Sequence, residues 1–125
     1  MLDGASRIRD LISFAKAENM PGIALTDHGV MYGAIKFYKE AKSAGIKPIM
    51  GCEVYVAADR HDRSRAPYYH LTLLARTPEG YRNLMKLCTA GYLDLKLRPI
   101  LQDFSHRFQV PGLRYQARDW GRIPC

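Results

Sequence analysis

The sequence predicts an α/β fold, and three observations carry that prediction. Helix-period and strand-like stretches alternate through residues 1–93, and turn residues separate them. The ionisable residues best suited to chemistry fall at the ends of the strand-like stretches, where α/β proteins keep their sites. With 125 residues and 47% hydrophobic content, the chain has enough apolar material for one core rather than two. Charged residues at 25% and aromatics at 10% exclude wholesale disorder. A complete eight-stranded β/α barrel needs about 200 residues or more, so any barrel formed here is partial.

Ile8, Leu11, Ile12 and Ala15 recur at helical spacing, with Ser6 as the expected N-cap, and the pattern stops before Pro21-Gly22. Gly22 to Thr26 is a short apolar run bounded by turn residues, the signature of a buried strand. Ala34, Phe37, Tyr38 and Ala41 define a second helix, and Gly45 stands where a helix C-terminus favours glycine. Ile46 to Val56 is largely apolar and β-prone, with Pro48 near its start, where a missing donor is tolerated.

Residues 58–66 are almost all polar and read as a loop. Tyr68 to Ala75 reads as a third strand. Thr77 and Pro78 then mark a helix start, and Tyr81, Leu84, Leu87 and Cys88 give that helix its apolar stripe. The expected arrangement is parallel strands with crossover helices. Residues 94–125 hold Pro99, Pro111, Pro124, Gly112 and Gly121 and show no sustained period, so an irregular tail is expected there. The organisation is thus residues 1–93 as one unit and residues 94–125 as a divergent tail.

The formal net charge is +7, from 19 basic and 12 acidic residues. Such a balance permits contact with nucleic acid through phosphate neutralisation but does not establish it. Three widely spaced cysteines, Cys52, Cys88 and Cys125, contain no Cys-x-x-Cys pair, which argues against a disulfide framework or a thiolate zinc site. No apolar run approaches the length of a membrane span, and the start lacks the order of a secretory signal. These features lead to the expectation of a cytoplasmic chain.

Four polar groups are the candidates for chemistry: Asp3 before the first helix, His28 after the first strand, Glu53 on the second, and His70 opening the third. Imidazole nitrogens with carboxylate oxygens suit zinc, manganese or iron and can lower the pKa of a bound water. Each residue also has an ordinary structural reading. Asp3 would favour a helix N-terminus, Asp27-His28-Gly29 would form a strand-to-loop turn, and His70 would be a satisfied or exposed histidine. Glu53 interrupts an apolar strand, where a carboxylate is costly unless it is paired or metal-bound. Cys52 and Cys88 read as small apolar core residues. His61 with Arg60, Arg63 and Arg65 reads as a solvated loop. In the tail, Tyr115, Trp120 and the arginines offer a surface for stacking on single-stranded nucleic acid, against the alternative of an unstructured extension.

The blocks Leu2-Asp3-Gly4-Ala5-Ser6, Ala24 to Gly33 (with Thr26-Asp27-His28-Gly29), Gly45 to Glu53, and His70 to Ala75 occur in an order that is specific. Together they resemble the N-terminal PHP (polymerase and histidinol phosphatase) domain of bacterial DNA polymerase III alpha subunits, over residues 1–93. The resemblance implies a partial, distorted β/α barrel of about three β/α units. It implies metal ligation by Asp3, His28, Glu53 and His70, with Asp27 as a partner that orients them. The implied cofactor is a divalent metal, zinc or manganese; magnesium belongs to the separate polymerase region, which lies outside these residues.

The implied activity is metal-dependent phosphoester hydrolysis or 3′–5′ proofreading, within a subunit that works on DNA with other replicative subunits. The family's His-x-His strand precedes the Leu-Asp-Gly block, and here the chain starts at Met1. The expectation is therefore a reading frame truncated at its start and divergent at its end, weak or inactive as an isolated catalyst. Two other readings stand beside it. One is a stand-alone phosphoesterase acting on a small phosphomonoester; the other is a non-catalytic basic module that binds DNA or a partner.

Overall fold

The computed structural model describes residues 6–57, 69–95, 100–102 and 113–117. Its elements run α1 (Ile8–Ala17), β1 (Gly22–His28), α2 (Ala34–Ser43), β2 (Lys47–Ala57), β3 (Tyr69–Ala75), α3 (Pro78–Leu95), β4 (Ile100–Gln102) and β5 (Leu113–Ala117). The strands form one sheet in the order β1-β2-β3-β5, with β4 continuing alongside β2. This is an α/β architecture of the partial, distorted barrel kind.

Both short helices end by the same device. After α1, Asn19 takes a positive φ of 54°, its amide donates to Lys16, and the Met20 amide donates to Ala15. After α2, Gly45 takes φ 75°, its amide donates to Lys42, and the Ile46 amide donates to Ala41. Each is a Schellman closure, in which a left-handed residue turns the chain and its own amide and the following one satisfy carbonyls of the last turn. Ile46 then packs with Ala41 and Phe37 in the core, so the cap delivers the chain directly into β2. Gly45 stands where the sequence predicts it. Ser6 does not: the N-cap of α1 is Arg7, with no side-chain cap bond. Ser6 is one residue too early for its hydroxyl to reach the free amides of the first turn. At α3 the expected start holds, and the Gly80 amide donates to Thr77 Oγ1 at 3.1 Å.

The expectation of parallel strands throughout needs correction. β1 and β2 are parallel, from Gly22 opposite Lys47 to His28 opposite Glu53. β2 and β3 are antiparallel, with Glu53 opposite Thr72 and Tyr55 opposite His70. The physical reason is connection length. A parallel pair needs a crossover, which α2 supplies between β1 and β2, whereas no helix-period segment separates β2 from β3 in the sequence. The expectation of an irregular tail is also modified. Residues 100–102 pair with β2 in parallel, and residues 113–117 pair with β3 in antiparallel register. Sheet edges left by β2 and β3 supply backbone partners, so short segments without a hydrophobic period of their own still find a ladder.

Period-2 alternation gives the sheet two different faces. One apolar cluster joins Cys52 and Val54 of β2 and Leu71 and Leu73 of β3 to Leu84 and Cys88 of α3. A second joins Ile12 and Ala15 of α1 to Phe37 and Ala41 of α2 and to Ile46, with Ile23, Leu25 and Met50 packed against it. All of these strand residues share one parity in the register, so the three helices lie over the same face of the sheet. The alternate positions, among them Thr26, His28, Gly51, Glu53, Tyr55, His70 and Thr72, line the opposite face.

Candidate functional site

The site grows out of the register. His28 is the residue directly opposite Glu53 across the β1–β2 pair. His70 lies two residues from Thr72, which faces Glu53 across the β2–β3 pair, so His70 is the diagonal neighbour on the same face. Pleating alone therefore brings two imidazoles and one carboxylate together from three strands. His28 Nδ1 lies 2.9 Å and His70 Nδ1 2.5 Å from the same oxygen, Glu53 Oε1. An ionised carboxylate only accepts, so each Nδ1 that meets Glu53 Oε1 is the donor of that bond.

Glu53 is the most enclosed of the three, with 19% of its side chain exposed against 40% for His28 and 43% for His70. A carboxylate on the central strand is costly without partners, and these two donors offset that cost. Tyr55, two residues along the same face, meets the His70 ring edge-on, with centroids 4.9 Å apart and planes at 78°. This contact fixes the plane of the imidazole. The sequence reading did not single out Tyr55, although its i+2 spacing from Glu53 was the available signal.

Two glycines make the close approach possible. Gly29 ends β1 in the left-handed region at φ 69°, and its amide donates to the Glu53 carbonyl at 2.7 Å. That bond prolongs the ladder one step and anchors the backbone beside His28. Gly51 lies beneath Glu53 on the same face. A Cβ there would stand 2.7 Å from the Leu73 carbonyl oxygen and 2.8 Å from Thr26 Cγ2, distances that no side chain accommodates without moving a strand.

Asp27 faces the other way from His28, as alternation requires. Its Oδ2 accepts the Gly33 amide at 3.1 Å, at the start of α2. A carboxylate at a helix N-terminus satisfies an orphan amide and complements the helix dipole. Asp27 thus ties the end of β1 to α2 and holds the His28 backbone through that tie. Asp3 lies outside the described residues, as do His61 with Arg60, Arg63 and Arg65, and Trp120; Tyr115 falls within β5.

In the arrangement described, both Nδ1 atoms are engaged with Glu53, and among the described residues no set of three His, Cys, Asp or Glu side chains surrounds one ion position. An open depression along α3, lined by Arg82, Met85, Lys86, Thr89, Ala90 and Leu93, contains none of the site residues. No described helix is long and apolar enough to cross a membrane.

The fold and the face that carries the site define a partial, distorted α/β barrel domain. A structure titled a putative metal-dependent phosphoesterase, from Bifidobacterium adolescentis, superposes with a TM-score of 0.51 at 18% identity, covering 71% of this chain and 29% of that one, a likeness of fold alone. The chain belongs to the PHP domain family, whose sequence profile matches residues 1–114.

Among curated proteins it is similar to the DNA polymerase III subunit alpha of Borreliella burgdorferi, 54% identical over 99 residues, which covers 75% of this chain and 9% of that protein. The Thermus aquaticus subunit is 46% identical over 102 residues, covering 75% of this chain and 8% of that protein. An error-prone DNA polymerase of Symbiobacterium thermophilum is 48% identical over 97 residues, covering 78% of this chain and 8% of that one. The chain therefore spans less than a tenth of the length of these relatives, and what it shares with them is the PHP region.

Proposed function

We propose that this chain carries part of a divalent-metal phosphoester-hydrolysing site belonging to the PHP domain of a replicative DNA polymerase alpha subunit. The observation that carries the reading is the convergence of His28 and His70 on one oxygen of Glu53. The donor set fits the metal. Two imidazoles and a carboxylate suit zinc or manganese, and the register already holds the three side chains together. His28, Glu53 and His70 would hold the ion, with Asp3 as a further ligand and Asp27 positioning the strand end.

Such an ion supplies a water acidified towards neutrality and a countercharge for a phosphoryl oxygen. The chain's own residues do the rest. Glu53 sets the Nδ1 tautomer of both histidines, Tyr55 restrains the His70 ring, and the Gly29 amide fixes the spacing of β1 from β2. Because the curated relatives are polymerase subunits, a DNA phosphodiester is favoured as substrate over a small phosphomonoester. DNA and the other replicative subunits are the partners this reading implies. The reaction assigned is hydrolysis, not nucleotide addition.

The test is a titration of the purified chain with zinc or manganese, followed through the histidine ring resonances. Zinc is expected to shift the His28 and His70 signals together, and manganese to broaden them. Glu53→Gln is expected to weaken binding by about 10–100-fold. Ring signals that ignore both metals would sink the proposal.

A further inference from the structure

The region behind the site holds a second cluster that metal binding does not use. Cys52 and Cys88 are the free cysteines among the described residues, and both are buried. Their sulfurs lie 3.6 Å apart, although the residues are 36 positions apart in sequence, one on β2 and one on α3. Cys88 donates to Cys52 Sγ in the neutral pair. Cys52 can in turn donate to the carbonyls of Val30 at 3.4 Å and Glu53 at 3.6 Å. Each sulfur thus points at the other, with Leu71, Leu73 and Leu84 around them holding the two elements in register.

We propose that Cys52 and Cys88 form a reversible disulfide modification site that locks α3 onto β2 when the chain meets a peroxide. Bond formation needs the sulfurs to close from 3.6 Å to about 2.05 Å, a movement within reach of side-chain rotation when the two thiols already touch. Cys88 is the entry point. It retains 8% exposure against 0% for Cys52.

The steps balance. Cys88 Sγ attacks one peroxide oxygen, the O–O bond breaks, and a sulfenic acid and a water are formed. Cys52 Sγ then attacks the Cys88 sulfur; the S–S bond forms, the S–O bond breaks, and the departing hydroxide takes the Cys52 proton as a second water. Two electrons have passed from the thiols to the peroxide, and a dithiol reductant reverses the change. The bond would tether α3 to the residue immediately before Glu53, so the carboxylate and its supporting helix would move as one piece.

The experiment treats the Cys125→Ser chain with hydrogen peroxide, then digests it without reductant and maps the peptides by mass spectrometry. The expected result is a Cys52–Cys88 crosslinked peptide that dithiothreitol abolishes, together with a Tm raised by roughly 10 °C, as closing a long loop predicts. Cys88→Ser is expected to abolish the crosslink. The proposal is overturned if circular dichroism shows a folded chain while Cys88 proceeds to sulfinic acid with Cys52 still a thiol. It is equally overturned if both thiols survive the treatment. The readout needs no metal and no hydrolysis, so it stands or fails separately from the phosphoesterase reading.

Discussion

The two faces of β2 solve opposite problems with the same backbone. On the helix side, Cys52 and Val54 are fully buried and meet α3 through apolar contacts. On the other side, one residue along, Glu53 gathers two imidazoles and Gly51 keeps the strands close enough for them to meet. Hydrophobic burial supplies the free energy of folding on the first face, at about 25 cal/mol per Å² of apolar surface removed from water. Polar convergence on the second contributes little to stability and supplies the chemistry. Period-2 alternation thus separates stability from chemistry by a single peptide unit.

That division is open to test by mutation. Leu84→Ala, beneath Cys52 and Val54, is expected to destabilise the chain by about 2–5 kcal/mol in urea denaturation, with the histidine cluster intact in whatever remains folded. Gly51→Ala tests the other face, where the new Cβ would meet the Leu73 carbonyl oxygen and Thr26. A loss of about 1–3 kcal/mol is expected there, along with altered His28 and His70 ring signals. An unchanged spectrum would show that the strand spacing does not set the site.

Asp27→Ala removes the acceptor for the Gly33 amide and is expected to cost about 0.5–2 kcal/mol, read from the same denaturation curves. Its effect on metal affinity should be smaller than that of Glu53→Gln, because Asp27 acts on the strand end and not on the ring nitrogens. Glu53→Gln sharpens the contrast most. Stability is expected to change by less than about 1 kcal/mol, while the coupled response of the two histidines moves to about 10–100-fold higher zinc. A large stability loss in that variant would mean that the cluster is structural.

Much of this was legible in the sequence, and the failures have physical causes. Thr77-Pro78 and Gly45 are local signals, decided within one turn of helix, and both stand where the sequence predicts them. Asn19 does the work of a glycine at the end of α1, a substitution that the left-handed tolerance of asparagine permits. Glu53 was conspicuous because a carboxylate in an apolar strand demands a partner. The identity of that partner depends on register, which no local pattern encodes.

The same gap hid the antiparallel turn of β3 and the pairing of residues 100–102 and 113–117, since a sheet edge recruits a strand through backbone bonds that leave no mark on side-chain periodicity. Cys52 and Cys88 read correctly as core residues. Their mutual contact is a tertiary fact, made when α3 settles on β2. Asp27, next to the most chemically suggestive histidine, turned out to face α2, and alternation along β1 accounts for that.

β2 is bonded on both sides where it carries the site. Gly51, Cys52 and Glu53 face β1 on one flank and β3 on the other. Amides sealed from both directions open to solvent only with the sheet as a whole, whereas edge segments open by local excursions. Deuterium should therefore enter the Gly51–Glu53 segment last. A carboxylate placed there keeps its place while edge segments open, and its partner on the edge strand, His28, is the one that local opening can withdraw.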